Sequence, residues 1–540
     1  MLRENPEAGK GIWAFDCTHA KLADGEAQRH VSSTDGDPDF QGLTLYEKKS
    51  LLVDRELDQQ GMGKYQWCIF FLCGFGYFLD LLWAQAFGLV VSPMQQEFGF
   101  DDVDLGNLFT CFSAGLTAGA FVWGFLVDII GRYWAFNFTV LWSSLFGLVL
   151  GAPSNYTGVL VLTAFIGIGI GGNIPIDTTI CLECLPRNRR WLLPALSIFQ
   201  PIGVVVSSGI AFAFVPRYSC AAGLQSCNLV EAGQACCAKA DNYGWRYLLF
   251  TLGAITMFIF VWRFFFFRFQ ESPKYLLYRG KDAQALASLR FIANFNGQQC
   301  NVTPETFSNL TDDNLSPSTA GTSEQPVMGS GCIPQGARFN VKRQFSLEKE
   351  RHKIIFNSPG MIRLVILLWV IYGFDYWGFS IAGSFLPTIL ARKGSKLGMG
   401  LEDTYRSYVF IYLFGIPGVI LGSSIYGWRR ASMLLSSALF ASCLFIFTVV
   451  HSERSYIGSM FNAILYGATP EFFPAPIRGT ACGVASFWGR IFSIIAPIAG
   501  AHVLTLSLNG VLYMAGAGVF VCTIAIMSLP GRFLQPGYKG

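Results

Sequence analysis

The sequence predicts an all-α integral membrane protein with twelve transmembrane helices in two six-helix halves. Composition points there first: 52% of the 540 side chains are apolar and 14% are charged, with a mean hydropathy of +0.42. That is too apolar and too poor in charge for a soluble globule of this size. Distribution is the stronger argument, because stretches of about 20 mainly apolar residues recur along the chain, each long enough to cross roughly 30 Å of hydrocarbon as a helix. Duplication is the third observation: a run of six spans occurs twice, with the same polar signature after the fourth span of each run. The formal net charge of +4 is small and spread over loops, so the implied partner is the lipid bilayer and not nucleic acid or an acidic surface.

Residues 1–64 are polar, with Pro6, Gly9, Gly11, Asp35, Gly36 and Asp37 and no apolar core, so they read as a cytosolic tail and not as a secretory signal. Tyr46 to Gln60 form a short charged helix, either lying on the membrane or solvated. The first half, 65–270, contains spans at roughly 65–91, 107–127, 134–152, 158–182, 193–215 and 246–269. A linker covers 271–359; it is rich in Ser, Thr, Asn, Gly and Pro over 296–338, where disorder is expected. The second half, 360–530, contains spans at roughly 362–390, 407–426, 431–450, 455–472, 480–503 and 510–529, before a short tail at 531–540.

Basic residues in short loops orient the bundle. Arg132, Arg187, Arg189, Arg190, Arg429, Arg430 and Arg478 all fall on one side, which is therefore expected to be cytosolic along with both termini and the linker. The opposite first loop carries Glu97, Asp101, Asp102 and Asp104 and no base. The loop at 391–406, with Arg392, Lys393, Lys396 and Arg406, is an exception to this pattern. Cys220, Cys227, Cys236 and Cys237 crowd the one sizeable loop on the non-cytosolic side, where an oxidising compartment allows a disulfide-stapled cap; four cysteines leave three connectivities open. No His accompanies them, and no metal-spaced His pair, phosphate loop or nucleophile elbow occurs elsewhere, so no metal, cofactor or catalytic residue is expected.

Two motifs stand at the cytosolic rim. Glu183-Cys-Leu-Pro186-Arg-Asn-Arg-Arg190 follows the fourth span and Glu471-Phe-Phe-Pro474-Ala-Pro-Ile-Arg478 follows the tenth, both reading E-x-x-P-x-x-x-R in register with the span count. Pro stops each helix, and an acid with an Arg at the rim can form a separable ion pair between bundles. Between the second and third spans stands Gly124-Phe-Leu-Val-Asp128-Ile-Ile-Gly131-Arg132, where the glycines permit close helix approach and a tight turn and Asp128 can meet a helix N-terminus or an Arg.

Together with the Gly167-Ile-Gly169-Ile-Gly171-Gly172 run and Glu271-Ser272-Pro273-Lys274 after the sixth span, these motifs resemble the major facilitator superfamily over about residues 60–530. More narrowly they look like its sugar-porter branch and the neighbouring synaptic-vesicle-protein and organic-ion transporters, of a fungal type. The resemblance implies a monomeric secondary transporter of a small organic solute working by alternating access, with spans one, four and seven lining a central cavity. Symport of a sugar or organic acid with protons is the favoured expectation; uncoupled or antiport movement of organic ions, or a transporter-like nutrient sensor, is the alternative. The expected host is a plasma membrane, with a vacuolar or endosomal one as the alternative. Departures from the family pattern are Ile129 and Tyr133 in place of basic residues, a second-half loop reduced to Gly422-Ser-Ser-Ile-Tyr-Gly427-Trp-Arg429-Arg430 without an Asp, and Thr163 where proton-coupled relatives often carry Arg.

Ionisable groups inside hydrocarbon are functional candidates by default. Asp80 in the first span and Asp177 in the fourth are candidates for proton coupling. Asp80 lacks the expected fourth-span counter-charge, although Arg490 of the eleventh span is an alternative fixed partner. Asp375, flanked by Tyr372, Tyr376 and Trp377, resembles part of an aromatic substrate box. Arg490 can instead hold a carboxylate in its planar fork, and Gln200 and Asn462 can bond a hydroxylated solute. Arg263, near a span end, is expected to snorkel. If the sidedness is right, an impermeant maleimide added from outside labels a single cysteine placed in the 220–237 loop and spares one in the linker; the reverse pattern inverts the topology.

Overall fold

The computed structural model describes residues 40, 43, 45–189, 192–221, 224–231, 234–267, 269–308, 310, 359–396, 401–425, 429–449 and 478–529. Among them, nine helices are long and apolar enough to cross a membrane. In the first half these belong to α2 (Lys64–Phe98), α3 (Leu105–Ile130), the broken helix α5 (Tyr156–Ile170) and α6 (Asn173–Cys184), α7 (Leu192–Phe214) and α8 (Gly244–Val261). In the second half they belong to α12 (Pro359–Lys396), α13 (Leu401–Leu413) continuing into α14 (Gly415–Ile425), α16 (Arg478–Leu506) and α17 (Leu508–Met527). Helices α4 (Arg132–Val149) and α15 (Arg429–Val449) fill the third and ninth places. The tenth expected span, at 455–472, lies outside the described residues.

Local chemistry sets the helix ends. The Asn155 side chain accepts the Gly158 N–H at 3.1 Å to start α5, and Ser507 accepts Gly510 N–H at 3.2 Å to start α17. Gly99 ends α2 in a left-handed conformation with φ of 73°. Gly131, at φ 99°, makes the turn between α3 and α4, and the Glu271 carboxylate caps the new helix: Oε1 accepts the Arg132 N–H at 2.9 Å and Oε2 the Tyr133 N–H at 3.3 Å. An acid on exposed helix N–H groups also complements the helix dipole. The Gly167–Gly172 run is packing surface: a Cβ on Gly167 would lie 2.5 Å from the Phe112 carbonyl of α3, and one on Gly169 would lie 2.2 Å from the Ser143 hydroxyl of α4.

Within the first half α3 packs on α5, α4 on α8 and α2 on α7, while in the second α12 packs on α16 and α17. The halves meet along three helix pairs, α3 with α16, α7 with α13 and α2 with α12.

Three sequence expectations are corrected here. The disorder expected from 296 does not begin there: α11 (Pro304–Ser308) is helical and, with α9 (Pro273–Tyr278) and α10 (Asp282–Asn296) before it, forms a folded platform, because Leu277, Leu286, Leu289, Ile292 and Phe307 have an apolar face to bury; residues 311–358 lie outside the described residues. Helix α1 (Leu45–Gln60) is neither solvated nor laid along lipid on its apolar face; it docks on α9 and α10 and buries Leu52, Val53 and Leu57. Ion pairs fix it there, Lys49 to Asp282 and Asp54 to both Lys274 and Arg187. The basic segment 391–406 is mostly helical, since α12 runs to Lys396 and α13 begins at Leu401.

At the opposite end of the bundle, two nested disulfides, Cys220 to Cys237 and Cys227 to Cys236, staple the loop between α7 and α8. The Ser226 hydroxyl ties this loop to the Glu97 carbonyl at 2.6 Å. The Glu97 carboxylate takes both Arg246 Nη atoms at 2.7 Å each and the Trp245 indole N–H at 3.0 Å. Removing one partner of such a buried pair leaves an unmatched charge and costs about 3–5 kcal/mol. Arg246→Ala is therefore expected to lower the melting temperature of the detergent-solubilised protein sharply, with the double variant Glu97→Gln and Arg246→Ala recovering part of the loss; additive losses would contradict the pairing.

Candidate substrate cavity

Between the halves lies a cavity of about 100 Å³, room for a small polar group and several waters. Asp80 enters it from α2, Ser113 from α3, Gln200 from α7, Asp375, Tyr376, Ser380 and Ser384 from α12, and Arg490 and Ser493 from α16. Phe109, Phe112 and Phe379 supply apolar wall. Both halves thus contribute charge to one buried site. Arg490 and Gln200 are the groups that act on the Asp80 carboxyl. The Arg490 guanidinium reaches across the interface, donating to the Leu116 carbonyl at 3.0 Å and the Gly171 carbonyl at 3.4 Å.

A family model for the Major Facilitator Superfamily matches residues 67–458. The chain belongs to that superfamily. It is 33% identical over 532 residues to the MFS siderochrome iron transporter 1 of Ceriporiopsis subvermispora (strain B), covering 95% of this chain and 96% of the relative. It is 25% identical over 478 residues to the organic cation/carnitine transporter 7 of Arabidopsis thaliana, covering 83% and 87%. Among solved structures the fold resembles the proton:xylose symporter XylE bound to 6-bromo-6-deoxy-D-glucose, with a TM-score of 0.61 at 14% identity over 86% of this chain and 96% of that one.

This major facilitator gathers only some of the sequence-predicted site residues. Asp80, Gln200, Asp375, Tyr376 and Arg490 share the cavity wall. Tyr372 lies behind it, its ring 6.4 Å from that of Tyr376. Trp377 is corrected: its ring packs on Phe492 and over Gly518 of α17, because it projects from α12 toward the helices of its own half. Asp177 is outside the wall and is paired with Arg263 at 3.6 Å, both side chains fully buried. Arg263 therefore does not snorkel; it also donates to the Leu72 and Phe136 carbonyls and stacks 4.0 Å from the Phe136 ring. Asn462 lies outside the described residues.

At the platform end, the rim ion pair is internal to the first half, joining Arg132 to Glu183 at 3.5 Å. Arg132 also lies 4.3 Å over the Tyr275 ring. Pro186 follows Leu185 in extended backbone, which terminates α6 after Cys184. Gly124 is corrected as a close-approach site, since a Cβ there would meet nothing within 4 Å. Arg190, Glu471 and Pro474 lie outside the described residues, as do the side chains of Asp128 and Arg478.

Sequence reading missed what joins the halves at the disulfide end. Arg392 of α12 grips Asp102 with a two-point contact at 3.0 and 2.5 Å, and Gln95 adds a bond to the same carboxylate at 2.9 Å. Tyr405 donates to the Leu89 carbonyl at 2.6 Å and Tyr408 to Gln85 at 2.7 Å, where Gly88 lets Pro387 approach. The signal was present: the basic 391–406 segment that violated the loop-charge pattern faces the acidic 97–104 loop. The Arg392 guanidinium holds the Asp102 carboxyl below its ordinary value of 3.8. A depressed carboxyl contributes its stabilisation in full above the ordinary value and loses it as pH falls through the depressed one. A nitroxide at Ser92 should thus stay shielded from a water-soluble relaxation agent at neutral pH and become accessible only as the pH falls below the ordinary carboxyl value of 3.8. In Arg392→Gln it should be accessible at both; shielding that survives in the variant would show that this pair does not hold the end closed.

Proposed function

We propose that this transporter carries a small organic acid together with a proton, by rocking of its two halves around the Asp80 and Arg490 cavity. The observation that carries the reading is the meeting of one acid from the first half with one guanidinium from the second inside a buried space. A solute carboxylate on Arg490 places a second negative charge beside Asp80. In a low-dielectric site such an unmatched charge costs several kcal/mol, and a proton on Asp80 cancels it. Acid and proton therefore arrive as a neutral pair. Gln200 and Ser113 offer bonds to further polar groups of the solute, and Asn462 belongs to the same proposal. Asp177, already matched to Arg263, is the weaker candidate for coupling.

Asp375 and Tyr376 favour a second reading, an organic cation held against the α12 wall. On either reading the disulfide end faces the outside or lumen and the platform end the cytosol. The Arg132 and Glu183 rim then serves the cycle of a monomer and not its ground-state affinity.

Reconstituted vesicles and a panel of radiolabelled monocarboxylates and amines test the proposal. Carboxylate accumulation should follow an imposed pH gradient. Asp80→Asn, fixed in a neutral form, should lose that accumulation while keeping solute counterflow, which needs no deprotonation. Accumulation that persists would exclude Asp80 as the obligatory carrier, and preference for amines would select the second reading.

A further inference from the structure

The fourth span, α5 with α6, is interrupted between Ile170 and Asn173, next to Ile174 of the cavity wall. Its cause is Pro175, which has no N–H to donate to the carbonyl four residues earlier, that of Gly171. An unpaired carbonyl in a membrane interior costs several kcal/mol. The donor that replaces the missing one comes from the other half of the protein, from Arg490 of α16. Its second Nη bonds the Leu116 carbonyl of α3, and the two acceptors are neighbours: a Cβ on Gly171 would lie 2.2 Å from the Leu116 oxygen. Arg490 itself is buried, and among the described residues its Nε has no bonding partner.

We propose that Arg490 is a latch between the halves, seated on the Gly171 carbonyl that Pro175 leaves open and on the neighbouring Leu116 carbonyl, and that a solute carboxylate releases it by exchange. This rests on the organic-acid reading above. The guanidinium holds two neutral oxygens, while a carboxylate offers charge-assisted bonds roughly twice as strong and a matching fork. Once Arg490 turns to the carboxylate, water in the cavity can serve the Gly171 and Leu116 carbonyls, and the Arg490 bonds from α16 to α3 and to the break between α5 and α6 are undone. Solute arrival and freedom of the halves to separate then become one event. Arg490 acts both as a specificity-determining contact and as the brake on empty cycling.

The experiment reads the separation of α3 and α16 by electron–electron resonance between labels at Phe121 and Phe487, carried on unnatural amino acids so that the native cysteines stay. Without solute, Arg490→Gln should shift the distribution to longer distances. Pro175→Ala, which returns an N–H to Gly171 and leaves Arg490 in place, should give a smaller shift, and should add nothing in the Arg490→Gln background. An equal Pro175→Ala shift in both backgrounds would overturn the latch. Millimolar benzoate should lengthen the distance in the native chain but not in Arg490→Gln, and benzyl alcohol should do neither. A native chain that takes up carboxylates yet shows no response to benzoate would overturn the exchange step. A native chain that takes up no carboxylate would remove the organic-acid reading and the exchange with it.

Discussion

Hydrocarbon offers no hydrogen bonds, so the backbone groups and buried charges inside this bundle are matched within the protein. The rest of the structure follows from that rule. Asp177 is tolerable because Arg263 stands beside it, and Arg263 because Asp177, two carbonyls and a phenyl face share its charge. Ser143, Ser208 and Thr256 turn their hydroxyls back onto carbonyls of their own helices. Where the first half cannot satisfy itself, at the Pro175 break, the second half supplies the bond, and a fault in one helix becomes a joint between two bodies.

Charge is distributed very differently at the two ends. Around the platform, the bonds among the described residues join Asp54 to Lys274 and Arg187, and Arg132 to Glu183 and Glu271, tying the first half to α1 and α9. Those bonds make one rigid piece of α1, α9, α10 and the rims of the spans. At the disulfide end the bonds from Asp102, Leu89 and Gln85 instead run to the other half. They must break whenever that end opens; the ion pair of Asp102 with Arg392 is partly exposed, which keeps its own cost modest, whereas the two tyrosine bonds are buried.

Much of the architecture was legible because the signals for it are local. A span is announced by its own 20 residues, a helix stop by Pro186, a turn by Gly131, and Asp80 and Arg490 by their position within apolar runs. What escaped was pairing. Glu271 caps a helix 139 residues before it in sequence, and Arg392 finds Asp102 at a distance of 290 residues. Arg263 was misread for the same reason: from sequence it is a cation near a span end, and only the packing of α2, α4 and α6 around it shows that it points inward. Trp377 shows the converse error, since helical spacing near Asp375 does not say which side of α12 faces the cavity.

The Glu97 site has a consequence for the order in which the protein is made. Its partner Arg246 is 149 residues further along the chain, so at about 5–20 residues per second it emerges roughly 7–30 seconds later. During that interval the end of α2 carries a carboxylate with neither its guanidinium nor the stapled loop that covers it. The loop and its cysteines are synthesised just before Arg246, so oxidation of the loop and capture of Glu97 fall close together. All of these groups are synthesised before the first residue of α12, Pro359.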